Sequence, residues 1–133
     1  MMNLINTIPR MKILLVLTVI AQVILSYGRT PYPMNWDDAN DWCYENSRQG
    51  LASPKSNLTP LVNACSSWGC WLGFHRVFPE TLDFVKNDYS DQNFGWNWGE
   101  PNNYDKKEDC GMVVNGGLND YGCWNMLFGV CSI

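Results

Sequence analysis

Hydrophobic and polar positions along the chain fall into distinct regimes. Met11 to Ser26 ("MKILLVLTVIAQVILS") has a basic residue, Lys12, followed by an apolar run interrupted only by Thr18 and Gln22. From Asn35 to Gly50 ("NWDDANDWCYENSRQG") the apolar positions Trp36, Ala39 and Cys43 recur at helical spacing. Asn35 stands at the N-cap, Asp37 and Asp38 in the first turn, and Gly50 at the end, so a helix is predicted here. "NLTPLVNAC" predicts a second helix from Asn57, with Pro60 in its first turn and Leu58, Leu61, Val62 and Cys65 at helical spacing. Beyond it "CWLGF" reads as a buried strand, and "CGMVV" and "FGVCSI" as shorter strands near the end. Between Tyr89 and Asn103, glycine, asparagine and aromatic residues follow one another with little period. Two helices early and strands late give an α+β domain with a long irregular loop.

Length and composition agree with a single folded unit: 133 residues, 46% of them hydrophobic. The apolar run changes the domain boundaries. Ile13 to Leu25 falls short of the roughly 20 residues that span a bilayer, so residues 1–26 read as a secretory signal, with no stable membrane insertion of the mature chain. Cleavage is expected between about residues 21 and 28, at Val19 with Ala21 or Ser26 with Gly28, and Met11 is an alternative start. The domain then covers 27–133, and the protein is expected to be secreted and extracellular. Loss of Arg10 and Lys12 leaves seven basic against thirteen acidic residues, a formal net charge of −6. That balance excludes nucleic acid as a partner.

Six cysteines, Cys43, Cys65, Cys70, Cys110, Cys123 and Cys131, all lie beyond the signal. An even count in a short secreted domain argues for three disulfides, with the pairing left open by sequence. Zinc is disfavoured, because the lone histidine, His75, has no cysteine pair at finger spacing.

The candidate chemistry sits in "EPNNYDKKEDC", Glu100 to Cys110, which holds Glu100, Asp105, Glu108 and Asp109. Long irregular loops in compact domains are commonly functional. Carboxylate and amide oxygens bind hard cations such as Ca2+, which takes about six to eight of them. No EF-hand pattern is present, so the site would need another architecture.

The ordered set "NWDDANDWC", "CWLGF", "WNWGEPNN", "EDC", "LNDYGC" and "FGVC" resembles the C-type lectin-like domain from about Tyr27 to Ile133. The resemblance implies that fold, with two helices, small antiparallel sheets and a long calcium-binding loop. It also implies one Ca2+ held by Glu100, Asn102, Glu108, Asn119 and Asp120, the same five residues contacting carbohydrate, with Pro101 preceded by a cis peptide bond. By the same resemblance Cys43 pairs with Cys131 and Cys110 with Cys123, which leaves Cys65 and Cys70 for each other.

Departures from the pattern are informative. Leu118, preceded by Gly116 and Gly117, stands where the family has tryptophan, which is expected to loosen the strand that presents Asn119 and Asp120. Arg76 and Asn103 stand where an auxiliary calcium site wants acidic groups, leaving Glu80, Glu108 and Asp109 and predicting that site to be weak or absent. Trp96 and Trp98 are expected in the loop core, with Tyr104 and Lys106 as candidates for secondary sugar contacts.

The functional expectation is a secreted lectin for mannose-type glycans. An "EPN" triplet implies sugars with adjacent equatorial hydroxyls. The competing reading on the same fold is a protein-binding or ice-binding module. Catalysis is disfavoured, since Glu100 and Glu108 are metal ligands in the resemblance and no activated Ser, Cys or His constellation is visible. Single-site sugar binding is weak, so avidity would come from oligomerisation or from a clustered target.

Overall fold

The computed structural model describes residues 27–78 and 81–132. The expected signal segment, residues 1–26, and Glu80 and Ile133 lie outside them.

Asn35 caps the first helix as its position predicts: its Oδ1 accepts from the Asp38 N–H at 2.8 Å. Helix α1 runs Trp36–Ser47 and buries Trp36, Ala39 and Cys43. It stops before Gly50, because Arg48 already adopts the left-handed conformation (φ 67°) and its N–H returns to the Tyr44 carbonyl. Helix α2 spans Thr59–Cys65, two residues later than the pattern suggests. Asn57 precedes it and accepts from the Thr59 N–H at 3.1 Å. Leu61 and Cys65 point into the core, whereas Val62 stays exposed.

Six strands follow or flank the helices: β1 (Gly28–Arg29), β2 (Gly69–Arg76), β3 (Phe84–Lys86), β4 (Cys110–Val114), β5 (Gly117–Tyr121) and β6 (Phe128–Cys131). They form one sheet in the order β1-β6-β2-β4-β5, with β3 also paired to β2. The sheet is mixed rather than purely antiparallel, because β6 runs parallel to β2 through Cys70 and Trp71. Strand β2 is buried on both faces apart from His75, as expected for the centre of a sheet.

Helix α1 is tied to the last strand by Cys43–Cys131, the β4–β5 hairpin to its exit by Cys110–Cys123, and α2 to β2 by Cys65–Cys70. One core cluster surrounds Trp36, Trp71 and Met112, and a second surrounds Leu61, Leu72, Phe74, Leu118 and Val130. Phe94 and Trp96 anchor the irregular loop by packing on Phe74 and Phe84. Trp98 departs from expectation: it is fully exposed, while Trp96 alone enters the core. The adjacent Gly99 sits at φ 82°, a turn that carries the chain out toward Glu100.

Candidate functional site

Two segments make the site. The first is the loop Glu100–Glu108, which enters through a cis Glu100–Pro101 bond and contains a single 3-10 turn, Tyr104–Lys106. The second is β5, presented by a two-residue turn at Asn115 (φ 52°) and Gly116 (φ 76°) that closes Val114 onto Gly117. Asn-Gly with both residues at positive φ is the turn whose twist suits a tight antiparallel hairpin.

Replacement of the expected tryptophan by Leu118 leaves β5 firmly held. Leu118 is fully buried, and all five β5 residues pair with β4. The loop is fastened to it by Leu118 N–H to Gly95 O and Asn97 N–H to Leu118 O, both 2.9 Å. Gly117 is required by this packing: a Cβ there would lie 2.0 Å from the Asn97 side-chain oxygen. Asn97 in turn donates through Nδ2 to Asn119 Oδ1 at 2.6 Å and to the Val114 carbonyl at 2.9 Å.

Glu100, Asn102, Glu108, Asn119 and Asp120 line one cleft of about 290 Å³, together with Trp68, Tyr104, Asn115 and Tyr121. Asp120 is its floor. Its Oδ1 accepts from the Asn102 N–H (3.1 Å), and its Oδ2 from the Asn103 N–H (2.7 Å) and from Arg76 (3.0 Å). The Tyr104 N–H serves Asn102 Oδ1 at 3.1 Å and Glu108 Oε2 at 3.0 Å. Asn102 Nδ2 donates to Glu100 Oε1 at 3.1 Å.

Arg76 is the one basic side chain bonded into this loop among the described residues. Its guanidinium is 1% exposed, and it binds Asp109 Oδ1 (2.9 Å), Asp120 Oδ2, the Glu108 carbonyl (2.7 Å) and the Thr81 carbonyl. The guanidinium thus fixes the C-terminal end of the loop directly and its start through Asp120, at the place where the resemblance would put an auxiliary cation.

The carboxylates above Arg76 are under-compensated. Glu100 Oε2 is buried without a hydrogen-bond partner. Its pKa is pushed up to about 7, first by burial and then by the Asp120 and Glu108 carboxylates. Glu108 is also raised, mainly by burial, with the Tyr104 N–H and Arg76 opposing. Among the described residues no three His, Cys, Asp or Glu side chains form a metal cluster by themselves. Any cation held here would need the amide oxygens as well. The donor set is entirely hard oxygen, and the orphaned Glu100 oxygen is an acceptor awaiting a partner, so the residues fit Ca2+. His75 stands apart, packed against Trp36.

No model of a known protein family matches the chain. Mouse L-selectin is 29% identical over 104 residues, which cover 75% of this chain and 28% of the relative; the bovine protein is 27% identical with the same coverage. The chain therefore spans under a third of the curated relatives it matches. The C-type carbohydrate-recognition domain of cow CD23, crystallised in the presence of a GlcNAc2Man3 oligosaccharide, superposes with a TM-score of 0.67 at 28% identity, covering 79% of this chain and 84% of that one. The chain has the C-type lectin-like fold. The C-type lectin-like fold also includes herring type II antifreeze protein, at TM-score 0.63 and 20% identity over 79% of this chain and 87% of that one. That likeness concerns the fold alone. The lectins among these relatives are carbohydrate-binding proteins rather than enzymes. Among the described residues no helix is long and apolar enough to cross a membrane.

Trp68, Met112, Val114, Asn115 and Tyr121 also line the cleft and lie outside the site read from sequence. Asn115 carried a signal, the Asn-Gly turn. Trp68 carried none, since its place depends on β2 lying beside β4.

Proposed function

We propose that this domain is a secreted, calcium-dependent lectin that recognises mannose-type sugars. The observation that supports it most directly is the buried, unpartnered Glu100 oxygen in a cleft that also gathers Asn102, Glu108, Asn119 and Asp120. A group so placed costs stability unless a cation or donor meets it.

Glu100, Asn102, Glu108, Asn119 and Asp120 would hold Ca2+. When bound, the ion offsets the carboxylate charge and offers open coordination positions to sugar hydroxyls. The side chains set polarity. Asn102 Nδ2 and Glu100 Oε1 already satisfy each other. A sugar hydroxyl inserted between them accepts from the amide and donates to the carboxylate, so it replaces that bond with two. Asn97 holds the Asn119 amide in a fixed plane for the neighbouring hydroxyl. The oligosaccharide present with cow CD23 contains mannose, in keeping with this reading. Three disulfides fit an oxidising, extracellular environment.

Exchanging donor and acceptor tests the assignment. The double substitution Glu100→Gln with Asn102→Asp keeps one carboxylate and one amide, so calcium binding should largely survive while preference moves from mannose toward galactose. Competition of immobilised-sugar binding by the two free sugars measures this. A native protein that prefers galactose, or a double variant that ranks mannose first by the original margin, would contradict the assignment.

A further inference from the structure

Beside the five polar residues the cleft has an aromatic wall. Trp68 is 64% exposed. It meets Tyr121 edge-on, with ring centroids 6.4 Å apart, and both rings line the cleft that contains Glu100 and Asn119. Tyr121 directly follows Asp120 on β5, and its own ring is backed by the buried Trp71 at 6.0 Å.

The Trp68 backbone is fixed. Cys65–Cys70 closes the segment that carries it, Ser66 caps α2 with its N–H on the Val62 carbonyl, and Gly69 pairs with Val114 at the start of β2. A tryptophan on so short a bridged segment loses little freedom when a ligand covers it. Polar capacity lies alongside: the exposed Asn115 of the β4–β5 turn lines the same cleft. An aromatic face bordered by an amide suits a pyranose ring, whose one face is C–H and whose rim is hydroxyl.

We propose that Trp68, Tyr121 and Asn115 form a second saccharide subsite, contiguous with the Glu100–Asp120 site, so that the domain selects glycans of at least two residues over single sugars. The proposal rests on the lectin reading above. The first sugar is held by its hydroxyls at the polar residues, and the next lays its apolar face on the Trp68 shelf with a hydroxyl on Asn115.

Calorimetry with methyl α-mannoside and with α1,2-, α1,3- and α1,6-linked mannobiose, all in calcium, separates the two ideas. The native protein should bind at least one mannobiose about tenfold more tightly than the monosaccharide, the size of one aromatic contact. Trp68→Ala should lose about tenfold more affinity for that mannobiose than for methyl α-mannoside, and Trp68→Phe should lose less. In the native protein the Trp68 indole N–H resonance should shift with mannobiose and respond little to the monosaccharide, a readout that does not depend on how the variants fold. Equal losses for both sugars, no mannobiose advantage, or an indole insensitive to mannobiose would each overturn the subsite. No binding of methyl α-mannoside at all would instead overturn the lectin reading on which it stands.

Discussion

Glu100 concentrates the chemistry of the site in one side chain. Its carboxyl is raised to about 7 by burial and by the Asp120 and Glu108 carboxylates. A carboxyl whose pKa is higher folded than unfolded holds a proton that the unfolded chain has lost, so its contribution to stability is present below its usual range and fades as pH rises through about 7. The calcium-free domain should therefore melt at a higher temperature near pH 5 than near pH 8, once other titrations are matched by comparison with Glu100→Gln. Calcium affinity should show the opposite slope and strengthen as pH rises through 7, because the ion competes with that proton. Parallel thermal melts and calcium titrations across this range would decide both. Glu100→Gln should leave the calcium-free protein as stable as the native one or more so, by about 1 kcal/mol at most given solvent screening, while removing most of the calcium-induced rise. A variant that melts lower without calcium yet retains the full calcium response would count against the role given to Glu100.

The elements carry this residue to its neighbours through Arg76 and the β4–β5 hairpin. Arg76 is buried at the end of β2 and pairs with the fully buried Asp120 carboxylate. Arg76→Met would leave that carboxylate desolvated and unpaired, a loss of about 3–5 kcal/mol by chemical denaturation. A loss under 1 kcal/mol would show that the guanidinium does not hold the loop. The strands also show what was legible in the sequence and what was not. Asn35, Trp36, Ala39 and Cys43 announce α1, because capping and helical spacing are local properties. By contrast β5 ("GLNDY") mixes glycine, polar and aromatic residues, so apolar alternation alone does not mark it as a strand. Its burial comes from Asn97 packing on Gly117 and from the loop paired along Leu118, contacts that join residues far apart in sequence. Trp98 escaped for the same reason. Its resemblance to Trp96 in composition says nothing about Gly99, whose turn sends it outward.

At the scale of the whole molecule, the disulfides rank the chain's restraints. Cys43–Cys131 closes a separation of 88 residues and Cys65–Cys70 one of 5. In the loop-entropy account these stabilise by about 4.6 and 2 kcal/mol respectively. Replacing the long-range pair with alanines should accordingly cost more than twice as much as replacing the short pair, measured by equilibrium denaturation. The reverse order would mean that the short bridge acts chiefly through the native contacts around Trp68. The order of motifs along the chain made the fold class readable from sequence, but not β1, β3 and β5 or the parallel pairing of β6 with β2. The cleft was readable only through its five polar residues, since its aromatic wall forms where β2, β4 and β5 come together.

Titration of methyl α-mannoside into the native protein tests most directly whether the cleft is a calcium-dependent sugar site. In millimolar calcium, saturable one-site binding is expected that vanishes with excess chelator and returns when calcium is restored. Sugar binding of equal strength with and without calcium, or no binding in either, would contradict it.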